Sequence, residues 1–62
     1  MDYFIEWIPW MGAYRLYEGG EYGRVGWTVA YLDSLDEAKQ RAQKDGDKLT
    51  YIDENNFHHV LV

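Results

Sequence analysis

Residues 33–46 read DSLDEAKQRAQKDG, and this stretch decides the fold. Ser34 has the hydroxyl of a good N-cap, able to accept a first-turn amide proton that no helical carbonyl can reach. Glu37 follows three residues later, which is the spacing of a capping box. Asp36 and Glu37 place negative charge at the positive end of the helix dipole. Glu37–Arg41 and Arg41–Asp45 are spaced i, i+4 for ion pairs. Gly46 suits the left-handed residue that stops a helix. Together these signals predict a helix over residues 35–45. Its apolar stripe is thin: Leu35, Ala38 and Ala42. Such small residues let a helix lie close to a sheet but bury little area.

On the N-terminal side, residues 24–32 (RVGWTVAYL) alternate, with Val25, Trp27, Val29 and Tyr31 in one phase. Strict alternation predicts a strand. Residues 2–8 (DYFIEWI) are rich in aromatic and β-branched types and read as a first strand, ended by Pro9. Gly12 marks a turn, and residues 13–18 (AYRLYE) read as a second strand. The glycines at 19, 20 and 23 predict a loop between the second and third strands. Beyond the helix, residues 48–53 (KLTYID) read as a strand. Asn55-Asn56 suits a tight turn, and residues 57–62 (FHHVLV) read as a last strand. The expected order is β-β-β-α-β-β: an α+β fold with a small antiparallel sheet and one helix on one face.

The 62 residues make one domain. There is no Cys, so disulfides and thiolate metal sites are excluded. The start, MDYFIEW, has no basic region followed by a long apolar run, so no secretory signal is expected. No apolar run approaches the ~20 residues that span a bilayer. A cytoplasmic protein is expected. The net charge is −5, and the six Lys and Arg are scattered from Arg15 to Lys48. Direct nucleic-acid binding, which needs clustered cations, is therefore not expected; nor is a membrane surface. An acidic balance suits a basic protein surface.

The chain carries three Trp, six Tyr and two Phe, most of them before the helix. In the first strand Tyr3, Ile5 and Trp7 share one phase, while Phe4, Ile8 and Trp10 fall in the other. A solvated face should alternate to polar residues. One helix covers one face only, so aromatic surface is expected on the other. Exposed apolar patches mark interaction sites, and Trp, Tyr and Arg dominate binding hot spots. The expected partner-binding residues are Trp7, Trp10, Tyr14, Arg15, Tyr17 and Tyr22. Asp33, Asp36, Glu37, Asp45 and Asp47 would steer them toward a basic partner.

Catalytic and metal chemistry find little support. His58 and His59 are adjacent strand residues and point to opposite faces. Ser34, the single serine, is explained by its helix cap. Asp45, Asp47, Asp53 and Glu54 lie at turns, where turn chemistry accounts for them. The glycines at 19, 20, 23 and 26 open no helix, so they do not form a phosphate cradle. No enzyme activity, metal or cofactor is expected.

From Trp27 to Asp53 the chain runs strand, Leu35-Asp36-Glu37-Ala38 helix start, then a strand with Tyr51-Ile52-Asp53. This run resembles small phage-encoded ββαβ inhibitors of host proteins, a type that includes inhibitors of RNA polymerase. The resemblance covers under half of the chain. It implies a tiny acidic protein that binds and inhibits a larger intracellular protein. Two alternatives are a homodimer that buries its aromatic face and an acidic mimic that blocks a nucleic-acid-binding site.

Overall fold

A computed structural model describes residues 2–19 and 26–62. Among these residues the elements are β1 (Tyr3–Ile8), β2 (Ala13–Glu18), β3 (Thr28–Leu32), α1 (Leu35–Asp45), β4 (Leu49–Ile52) and β5 (His58–Val60). The strands form one sheet in the order β3-β2-β1-β4-β5, with the helix packed against it. The α+β class, the element order and the helix bounds agree with the sequence. Expected structure at residues 20–25, including Tyr22 and Val25, lies outside the described residues.

The sheet is mixed rather than wholly antiparallel. β1 pairs antiparallel with β2 and parallel with β4, while β2–β3 and β4–β5 are antiparallel. The helix causes this. It carries the chain from edge strand β3 back across the sheet, so β4 starts at the same end as β1.

The helix ends form as their residues dictate. Ser34 is extended and its Oγ accepts the Glu37 amide at 3.4 Å. At the other end Gly46 is left-handed, with φ 71°. Its amide donates to the Gln43 carbonyl, and that of Asp47 donates to the Ala42 carbonyl at 2.9 Å. This pair of bonds is a Schellman motif.

The core lies between helix and sheet: Tyr3 and Ile5 of β1, Leu16 of β2, Leu49 of β4, and Ala38 and Ala42 of the helix. At its margin Tyr3 donates its hydroxyl to Asp45 Oδ2 at 2.9 Å. That bond, with burial adding to it, holds the Tyr3 pKa above its ordinary value. A bulge between β2 and β3 sets Leu16 opposite Ala30 and Tyr17 opposite Thr28, leaving Val29 over. The extra residue breaks the predicted alternation and lets Val29 pack against the core.

Candidate functional site

The middle of the sheet face without the helix is filled by its own side chains. Residues that pair across the strands share a face, which puts Phe4, Glu6 and Ile8 on this side with Arg15, Tyr17 and Thr50. Ile8, Tyr17 and Thr50 are buried. Phe4 stacks on its cross-strand partner Tyr17, with ring centroids 5.7 Å apart. The Arg15 guanidinium sits 4.5 Å from the centroid of the Tyr17 ring. It also donates to Glu6 Oε1 at 3.1 Å and to Thr28 Oγ1 at 2.7 Å. Burial pushes the Tyr17 pKa up; the Glu6 carboxylate adds to this and Arg15 opposes it. Arg15 and Tyr17, expected to be partner-binding, are thus engaged inside the protein. Apolar residues in both phases of β1 follow from its central position, where both faces are covered, and not from an exposed face.

Toward its two edges this face is open: Tyr31, the partner of Arg15, and Val60, the partner of Thr50, are exposed. The other exposed apolar side chains gather mainly at one end of the sheet. β1 and β4 run parallel, so the β1–β2 turn and the β4–β5 turn share one end of the sheet. At this turn end Trp7 is 43%, Trp10 83%, Met11 49% and Phe57 66% exposed. The β1–β2 turn is built to hold still. The Ile8 carbonyl accepts the amides of Met11 at 3.1 Å and Gly12 at 3.0 Å. Pro9 stands at the second position of that turn, where its fixed φ is favoured. Gly12, with φ 61°, completes the reversal. Trp10 is carried outward on this short frame. Trp7 lies against its partner Tyr14 in an edge-on contact, with centroids 4.8 Å apart. Tyr14 itself packs on the core.

The β4–β5 turn is organised by Asp53. Its Oδ1 accepts the amides of Asn55 and Phe57, each at 2.9 Å. Its Oδ2 lies 2.8 Å from His59 Nε2. The His59 bond, then the Phe57 amide, hold the Asp53 pKa below the usual carboxylate range. Asn56 takes the left-handed conformation, φ 64°, that the Asn-Asn pair predicts. Between the two turns lies an open crevice of about 480 Å³, with Trp7 and Pro9 on one side and Tyr51, Asp53 and Glu54 on the other.

The acidic residues divide between the two ends. Leu32 pairs with Tyr14, and Tyr14 with Trp7, so β3 ends and the helix begins at the turn end. Asp33, Asp36 and Glu37 are exposed there. Asp45 and Asp47 lie at the opposite end, beyond the helix C-terminus, and Asp45 already holds the Tyr3 hydroxyl. Arg41, Lys44 and Lys48 also fall toward that opposite end. The turn end is therefore the acidic one.

Of the expected binding residues, Trp7, Trp10 and Tyr14 come together at the turn end. Met11 and Phe57 join them but were not expected. For Met11 the signal was available, because an apolar residue in a turn has no strand face on which to hide; Phe57 was read as the start of the last strand, which begins only at His58. Trp27 and Tyr31 are 83% and 52% exposed on the β3 side, away from this group. Among the described residues no group of three His, Cys, Asp or Glu could hold a metal ion, and no helix is long and apolar enough to cross a membrane. Comparison with known proteins finds no matching family, no matching curated sequence and no matching solved structure.

Proposed function

We propose that this chain is a protein-interaction module that docks its turn end on a basic surface of a larger intracellular protein and inhibits that protein by covering the surface. The observation that carries this reading is Trp10, 83% exposed on a turn fixed by Pro9 and by two bonds to the Ile8 carbonyl. A large aromatic held out on a short, ordered frame loses little freedom on binding, which is what a hot-spot residue needs. Trp7, Met11 and Phe57 add exposed apolar surface at the same end. Asp33, Asp36, Glu37 and Glu54 share that end and carry one sign of charge, which favours encounter with a basic partner.

The test is affinity capture from a bacterial lysate at low and high salt, with the intact chain and Trp10→Ala side by side. One stoichiometric partner, weakened by salt and lost with Trp10→Ala while the variant melts like the parent, is the expected result. Capture unchanged by Trp10→Ala counts against it. A second reading is self-association along edge strand β3, favoured by the exposure of Trp27 and Tyr31 beside an unpaired strand edge. Sedimentation at micromolar concentration decides this: a monomer excludes it.

A further inference from the structure

The crevice at the turn end has a topological origin. β1 and β4 are parallel neighbours, and their chains leave in opposite directions, β1 toward β2 and β4 toward β5. No connection crosses the gap outside their carboxyl ends, which leaves the crevice open to solvent. Its lining is chemically one-sided. Three carboxylates, Glu6, Asp53 and Glu54, border it, and among the described residues no Lys or Arg does. Two of the three already have a partner within the protein, Glu6 the Arg15 guanidinium and Asp53 the His59 ring. Glu54 is exposed at the turn. Facing it stands the indole of Trp7, its ring set by Tyr14.

The carboxylates do not converge as metal ligands would, since no group of three among the described residues could hold an ion. A spread-out, flat cation fits better than a point charge. A guanidinium can lie against an indole face and still donate sideways to a carboxylate, which a compact ammonium does less well. We propose that the crevice receives an arginine side chain of the partner protein, with Trp7 as its stacking wall and Glu54 as its counter-charge. This rests on the reading of the turn end as a docking surface and names the chemistry that surface selects.

The experiment is an amide and indole NMR titration of the intact chain with N-acetyl-arginine methylamide, against the lysine and citrulline analogues. Citrulline keeps the shape and lacks the charge. The expected result is saturable shifts at the Trp7 indole N–H and the amides of Glu54 and Asn55, strongest with arginine, weaker with lysine and absent with citrulline. Glu54→Gln, an exposed turn change, should weaken arginine about two- to fivefold, the range of a solvent-exposed ion pair. Equal shifts with citrulline, no saturation, or shifts spread over Asp36 and Asp47 as well would overturn the proposal. Trp10→Ala separates the two readings, because Trp10 does not line the crevice. If arginine fails to bind while Trp10→Ala still loses the partner, the crevice assignment falls and the docking end stands. If arginine binds but Trp10→Ala keeps the partner, the docking reading falls instead.

Discussion

Two aromatic groups in this protein have similar compositions and opposite fates. On the face away from the helix, Phe4 and Tyr17 stack and Arg15 lies over Tyr17, pinned by Glu6 and Thr28. At the turn end, Trp7 leans on Tyr14 while Trp10, Met11 and Phe57 stand out in solvent. The difference is set by position. A residue in the middle of a sheet has cross-strand neighbours at about 5 Å that can complete its burial. A residue at a turn has neighbours on one side only. Aromatic richness alone therefore does not tell which side chains stay exposed; position in the sheet or at a turn does.

The largest expected effect sits in the closed group. Tyr17→Ala should cost about 3–5 kcal/mol, as deletion of a buried ring does, and a urea melt should show an early or lost transition. A small loss would mean that Tyr17 is as dispensable as a surface residue, and the contrast between the two groups would fail. Next is Gly19, where an added Cβ would lie 2.2 Å from Phe4 Cε2. The ring cannot move away without breaking its stack on Tyr17. Gly19→Ala should cost about 1–3 kcal/mol, in the range of overpacking. Combination with Phe4→Leu should recover part of that loss, and the double-mutant melt measures it.

The turn end should respond to acid through Asp53. Asp53 has its pKa lowered by folding, so its contribution is present above its unfolded value and is lost as pH falls through the folded one. Protection of the Asn55 and Phe57 amides, taken relative to the intrinsic exchange rate at each pH, should therefore fall as pH drops below the usual carboxylate range. Asp53→Asn should remove most of that dependence. Smallest of all is Trp10→Ala, which should change stability by no more than about 0.5 kcal/mol, as surface substitutions do. Its effect belongs to partner capture. A large drop in melting temperature would place Trp10 with the structural aromatics.

Much of the fold was legible because its signals are local. Ser34, Glu37 and Gly46 set the helix ends within a few residues of themselves, and Gly12 and Asn56 did the same for two turns. The parallel pairing of β1 with β4 was not legible. It depends on where the helix returns the chain, and no residue of Tyr3–Glu6 or Leu49–Ile52 encodes direction. The bulge that turns Val29 inward was hidden by a clean alternation. For the site, alternation told which side chains share a face and not whether that face is covered. Tyr17 was therefore expected at the surface. Trp7 and Trp10 were expected at the surface, and both are exposed there.

The place of β1 in the middle of the sheet also dictates an order of assembly. Its hairpin with β2 needs only the four residues between them, but its other edge waits for Leu49–Ile52. While the polypeptide is being made, the β1–β2–β3 portion emerges with one flank of its most apolar strand uncovered. Pairings between such distant segments are slow to close and open to sticking in the interval. The Glu6–Arg15 bridge, made within the first hairpin, puts a charged pair on that half-built piece before its final neighbour arrives.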